Sequence, residues 1–186
     1  MMLLKYGKGG TTIYSLNLHR NPLGIKGCEI LKEFLLPLRN SCMIELNLTR
    51  CGIDAQAFAE LMKGMNKNKC MSKLILRSNP ITGAAGPLLA KFIMLNNSLS
   101  HLDLSHTDFN SAAVCMLVAS LQQIKFLNGP NRKLQVLDLS ENDICDVGAK
   151  AMSQLLQADY IRLLHLDLQG NRLTSTGIVF ALKLLS

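Results

Sequence analysis

Residues 134–144 read Leu134-Gln135-Val136-Leu137-Asp138-Leu139-Ser140-Glu141-Asn142-Asp143-Ile144. Leu137 and Leu139 are separated by one polar residue, the period of a short strand with one buried face. Ile144 is apolar again, and beyond it Gly148, Met152 and Leu156 recur every four residues. That spacing is the inner stripe of a helix. The segment therefore predicts a strand, a tight turn and a helix within about thirty residues.

The same pattern stands six times along the chain. Leu-x-Leu occurs at Leu16/Leu18, Leu46/Leu48, Leu74/Leu76, Leu102/Leu104, Leu137/Leu139 and Leu166/Leu168, at steps of 30, 28, 28, 35 and 29 residues. An apolar residue follows each time, at Leu23, Ile53, Ile81, Phe109, Ile144 and Leu173. A small residue comes four later, at Gly27, Ala57, Ala85, Ala113, Gly148 and Gly177, where it lets the helix start close to its strand. The helical stripe continues through Leu31, Leu61, Leu89, Leu117, Met152 and Ala181. Between strand and helix a polar residue recurs as Asn21, Asn79, Asn142 and Asn171, with Cys51 and Thr107 as departures. A buried amide can satisfy turn backbone in its own and the neighbouring unit. Cys51 and Thr107 do so only in part, so the ladder is expected to be weaker in units two and four.

A strand-plus-helix repeat of this length resembles the leucine-rich-repeat family, and the small residue at the helix start resembles its ribonuclease-inhibitor-like subclass. The resemblance covers residues 13–186. It implies an α/β leucine-rich-repeat solenoid, a horseshoe of about six repeats with a curved parallel sheet on the concave side and helices on the convex side. Units begin near residues 13, 43, 71, 99, 134 and 163, after a lead-in of residues 1–12. The family is mostly a binding scaffold, so the resemblance specifies fold far more than partner. One family with this repeat activates a nuclear-transport GTPase and would place an Arg or Asn at the early strand-to-helix turns, where Arg20 and Arg50 stand. Its acidic C-terminal tail has no counterpart here.

Composition sets the remaining bounds. Apolar residues make up 48% of the 186, aromatics 5%, and Trp is absent, which predicts an ordered aliphatic core rather than a disordered chain. Met1-Met2-Leu3-Leu4 meets Lys5 too early for a signal peptide, and no apolar run is long enough to span a bilayer. The six cysteines are then expected as free thiols in a reducing, cytoplasmic compartment. Two irregularities stand out. Extra residues around 125–133 predict a protruding loop in unit four. The short lead-in and the end within the sixth helix predict a fragment, or end units covered by a partner.

The residues between and beside the strand leucines face the cavity of the horseshoe. The net charge of +7 is divided as +8 over residues 1–98 and −1 over residues 99–186. The same polarity marks the cavity. Arg20, Arg50, Lys73 and Arg77 stand in the first three units. Asp103, Asp138, Asp167 and Glu141 stand in the last three, with His101 and His165 beside them and Asp108 and Asp143 at the turns. These ten positions, Asp108 and Asp143 aside, are the expected partner-binding set. The expected partner is a protein of opposite polarity, and binding of nucleic acid through the basic half is the alternative.

Chemistry is not expected. His101, Asp103, His106 and Asp108 have metal-ligand side chains, but a strand and a turn send them apart and no Cys-x-x-Cys supports them. Gly7-Lys8-Gly9-Gly10-Thr11-Thr12 lacks the order of a phosphate-binding loop. The cysteines have no neighbouring base placed by the repeat. The sequence therefore predicts a non-catalytic protein without a cofactor or a bound metal.

Overall fold

The computed structural model describes residues 13–36, 43–128, 133–157 and 163–182. Strands and helices alternate throughout. They are β1 (Ser15–Asn17), α1 (Gly24–Phe34), β2 (Glu45–Asn47), α2 (Ala55–Met65), β3 (Lys73–Ile75), α3 (Gly86–Leu95), β4 (His101–Asp103), α4 (Ser111–Asn128), β5 (Val136–Asp138), α5 (Asp146–Gln157), β6 (His165–Asp167) and α6 (Ser175–Leu182). The strands form one parallel sheet in chain order. Its register puts Leu16, Leu46, Leu74, Leu102, Leu137 and Leu166 in a single row. Hydrogen bonds continue the sheet past each strand. The amide of Leu48 donates to Ile75 O, that of Leu76 to Asp103 O and that of Leu104 to Asp138 O. Together these elements are the expected leucine-rich-repeat solenoid.

Each internal unit builds its core from the positions the period marks. In unit two Leu46, Leu48, Ile53, Ala57, Leu61 and Met65 are all within 1% of complete burial. Burying a large aliphatic side chain is worth about 1.5–3 kcal/mol, so this stripe is the main stabilising term of each unit. The end units are looser. Leu16, Leu18, Leu166, Leu168 and Leu173 are only partly buried, and Leu164, Ile178, Val179 and Leu182 are exposed.

Helix starts follow local chemistry. The Asp54 carboxylate accepts from the amide of Ala57, and Asn110 Oδ1 accepts from that of Ala113; both satisfy a first-turn donor that the helix cannot. The small residue lies against the apolar turn residue of its own unit. A Cβ on Gly27 would fall 2.6 Å from Leu23 Cβ, and one on Gly148 would fall 2.7 Å from Ile144 Cγ2. Closeness of helix to turn, rather than of helix to strand, is what selects it.

Two expectations need correction. Ala85 does not open an α-helix but closes a 3-10 turn, Gly83–Ala85, ahead of α3. Pro87 has no amide hydrogen, so it fits only in the first turn and fixes where α3 can begin. Residues 125–128, expected in the protruding loop of unit four, instead continue α4, which runs 18 residues through Asn128. Lys125, Phe126 and Leu127 continue the helix, and the chain meets its breakers only at Gly129 and Pro130. Residues 129–132 of that loop lie outside the described residues, as do residues 1–12 with their Gly-rich segment.

Burial predicts a gradient of mutational cost. Leu74→Ala, in a fully buried position, should cost roughly 3–5 kcal/mol, whereas Leu166→Ala should cost about 2 kcal/mol or less. Urea denaturation of both variants checks the difference.

Candidate protein-interaction surface

The cavity face is a grid. Register pairs Asn17, Asn47, Ile75, Asp103, Asp138 and Asp167 in one row, and Ser15, Glu45, Lys73, His101, Val136 and His165 in the next. The grid joins Asp103, Asp138 and Asp167 on adjacent strands, about 4.8 Å apart. It brings His101 and His165 to either side of Val136.

The aspartate row has a structural task as well. Asp103 Oδ1 accepts from the amide of Ser105 at 2.9 Å and from its hydroxyl at 2.6 Å. Asp138 Oδ1 does the same with Ser140 at 2.9 and 2.6 Å, and Asp167 Oδ1 accepts from the Gln169 amide at 2.9 Å. Asn17 and Asn47 close the same turns in units one and two. These side chains turn the chain out of its strand. The bonds also spread each carboxylate's charge, which softens repulsion along the row. Only Ile75 breaks the series.

One residue on, every unit enters the left-handed region. Arg20, Arg50, Ser78, His106 and Glu141 have φ of 62, 53, 56, 54 and 54°, and Gly170 has 67°. A side chain in that conformation is costly, so the surrounding hydrogen bonds must hold it. The amides of Arg20, Arg50, Ser78, His106 and Glu141 donate to Thr49, Arg77, Ser105, Ser140 and Gln169 of the next unit. Arg20 and Arg50 thus share a row, whereas Arg77 stands one residue earlier in its turn and Lys73 lies on the strand itself. Among the described residues none of these four cations forms an ion pair. On the acidic side Asp143 does pair, with Arg172 Nε at 2.5 Å, so it adds little to the acidic end.

Behind this face runs the asparagine ladder. Asn79 Nδ2 donates to Leu48 O at 2.8 Å and to Leu76 O at 2.7 Å, while its Oδ1 accepts from the amides of Cys51 and Ile53. Asn142 repeats this with Leu104 O, Leu139 O and the amides of Thr107 and Phe109. Asn171 donates to Leu139 O and Leu168 O and accepts from Ile144 N. Asn21 reaches, among the described residues, only the carbonyls of Leu18 and His19 in its own unit. The departures are weaker, as expected. Cys51 Sγ donates to Leu18 O at 3.1 Å, and the Thr107 hydroxyl donates to Leu104 O in its own unit at 2.6 Å but reaches Asn142 Oδ1 of the next unit only at 3.5 Å.

A second ladder went unread in the sequence. At the opposite strand end, Asn68 Oδ1 accepts from the amides of Cys70 and Met71, and Asn96 Oδ1 from those of Ser98 and Leu99. Asn96 Nδ2 crosses to Asn68 O at 3.3 Å. The signal was present, since Asn40, Asn68, Asn96 and Asn131 each stand six residues before a strand leucine.

The cysteines differ in environment. Cys28 and Cys51 are buried, and burial pushes the Cys28 thiol up to about 12 and raises that of Cys51. Cys145 goes the other way, because the Ser111 hydroxyl donates to its sulfur and the amides at the start of α5 assist. Cys70 and Cys115 are partly buried, and Cys42 lies outside the described residues. His101, Asp103, His106 and Asp108 do not converge: among the described residues no three His, Cys, Asp or Glu side chains are grouped to hold a metal ion. Nor is any described helix long and apolar enough to cross a membrane.

Sheet, ladder and turn define a class of repeat scaffold, and comparison with known proteins gives it a family. A family model described as Leucine Rich repeat matches residues 95–114, 131–153 and 163–180. NACHT, LRR and PYD domains-containing protein 12 of Homo sapiens is 29% identical over 167 residues, covering 89% of this chain and 15% of its own length. Ribonuclease inhibitor of Sus scrofa is 28% identical over 190 residues, covering 89% and 41%. Protein phosphatase 1 regulatory subunit 37 of Bos taurus is 26% identical over 147 residues, covering 67% and 21%. The chain therefore spans less than half the length of each. It is a leucine-rich-repeat protein with ribonuclease-inhibitor-like relatives.

Removing a full rung should cost more than removing a partial one. Asn142→Ala orphans buried backbone groups in two units and should cost roughly 2–4 kcal/mol, against about 1 kcal/mol for Thr107→Ala. Denaturant midpoints of the two variants measure this.

The α5–α6 junction should respond to acid. The Thr174 hydroxyl, at 2.5 Å, and the Thr174 amide, at 2.9 Å, donate to Asp146 and hold its carboxyl below the usual range. A carboxylate with a depressed folded pKa contributes stability above its unfolded value and loses it as pH falls through the folded one. Docking of α6 should therefore weaken only below about pH 4, the ordinary aspartate value. Hydrogen exchange of the α6 amides, read against pH and against Asp146→Ala, checks it; equal exchange in the variant and the native chain would refute the link.

Proposed function

We propose that this chain is a non-catalytic protein-interaction scaffold that holds a partner protein on its concave face. The observation that carries the reading is polarity on one continuous surface. Arg20, Arg50, Lys73 and Arg77, which form no ion pair among the described residues, occupy units one to three, and Asp103, Asp138, Asp167 and Glu141 occupy units four to six. Opposed charge at the two ends of a groove sets the orientation of a dipolar partner and raises its rate of encounter. His101 and His165 stand in the row beside the aspartates and complete the face.

The relatives agree in kind. One is named an inhibitor of a ribonuclease and another a regulatory subunit of a protein phosphatase, and both names describe a protein that acts on another protein. Free thiols at Cys28 and Cys51 suit the reducing cytoplasm, where we place the protein.

The turn bonds of the aspartates dictate the test. Reversal to Lys would remove a turn acceptor along with the charge. Asparagine keeps the acceptor, as Asn17 and Asn47 do in the first two units. The triple variant Asp103→Asn, Asp138→Asn, Asp167→Asn should keep its thermal midpoint. It should bind a partner captured by the native chain roughly tenfold more weakly at low salt, with the gap closing near 1 M salt as screening sets in. Equal affinity of the two chains at every salt concentration would place the binding surface elsewhere. Capture of nucleic acid alone, lost steeply with salt, would favour the basic half as a phosphate-binding surface.

A further inference from the structure

We propose that a cavity on the concave face of units one to three, lined in part by Ile75, receives an acidic segment of a partner protein that carries an apolar anchor side chain. The inference rests on the scaffold reading and names the chemistry of one end of it. The first observation is the break in the turn row. Five units use this position for a side-chain oxygen that closes the turn, and unit three places a half-buried isoleucine there instead. A residue that gives up a local hydrogen bond for an apolar surface facing the groove departs from what stability asks, and such departures concentrate at functional positions.

The second observation is space. A cavity of about 150 Å³ opens over β1–β3, lined by Asn17, Asn47, Glu45, Lys73 and Ile75 among others. That volume accommodates a single aliphatic side chain. Ile75 lines it together with Leu16 and Leu46 and supplies apolar surface from β3.

The third is charge. Lys73 lies two residues before Ile75 on the same face of β3, and Arg77 two residues after it. Arg50 stands at the end of the neighbouring unit's turn, where its amide is tied to Arg77 O. None of the three forms an ion pair among the described residues. Carboxylates flanking an anchor would meet these cations. A guanidinium grips a carboxylate through two parallel bonds. Glu45 lines the same cavity and would repel a uniform polyanion, which disfavours a nucleic-acid backbone. A peptide can instead turn its apolar side chain toward that wall. The strands also lack aromatic side chains on which bases could stack.

The probe is a fluorescein-labelled peptide of glutamates around one central leucine, read by anisotropy beside the same peptide with serine for leucine. The native chain should bind the leucine peptide roughly tenfold more tightly, the factor of one buried apolar side chain. Ile75→Asp restores the carboxylate that other units carry and the turn bond with it, so it should fold, and it should abolish the preference for leucine. Arg50→Ser with Arg77→Ser should weaken both peptides together. Equal binding of the two peptides by the native chain, or an undiminished leucine preference in Ile75→Asp, overturns the proposal. So does tighter binding of an oligothymidylate than of either peptide. Failure here is separable from failure of the scaffold reading: the triple asparagine variant still loses its captured partner in the first case and retains it in the second.

Discussion

Peptide groups in the turns of a stacked repeat cannot all bond within their own unit. Turn backbone is buried against the neighbouring unit, where water does not reach, and an orphaned buried donor or acceptor costs about as much as several surface contacts contribute. Asn79 and Asn142 meet this constraint with both ends of one amide, donating to carbonyls of two units and accepting from amides of the preceding one. Asn68 and Asn96 do related work at the other end of the strands. The strand between them is only three residues long, so the ladders, rather than the sheet bonds alone, fix the spacing of the units.

Everything on the concave face inherits that spacing. Because the register is unbroken from β1 to β6, any residue type repeated at one position becomes a row. The rows do two jobs at once. Asp103 and Asp138 turn the chain with one oxygen and charge the groove with the carboxylate as a whole. Arg20, Arg50 and Glu141 take a backbone conformation that favours glycine, and their amides carry the sheet ladder into the turn. Structural and electrostatic roles of these positions are therefore inseparable, and a substitution that changes charge must be chosen to preserve the turn.

The core tapers toward both ends. Strand leucines of units two to five are buried, and those of units one and six are partly open. In a one-dimensional stack each unit is stabilised by its neighbours, and units two to five each have a described unit on either side. Local devices compensate at the last junction, where Asp146 is bonded by Thr174 across the gap between α5 and α6.

The sequence alone determined the repeat, the alternation of strand and helix, the core stripe and the first ladder. Those features follow from local period, since a leucine two residues from another and an apolar residue every four can be satisfied in few ways. It misplaced the start of α3 and the end of α4, where Pro87 and the Asn128-Gly129-Pro130 break outweighed the repeat's average spacing. It left the second ladder unread, although Asn40, Asn68, Asn96 and Asn131 repeat in step, because polar residues before a strand read as ordinary turn chemistry. Pairing was beyond it. Only the tertiary structure showed that Asp143 is paired with Arg172, that the aspartate row closes turns and that Ile75 lines a cavity together with Lys73. Each of these depends on which atoms from different units come within hydrogen-bonding or contact distance, and periodicity in one chain direction carries no information about that.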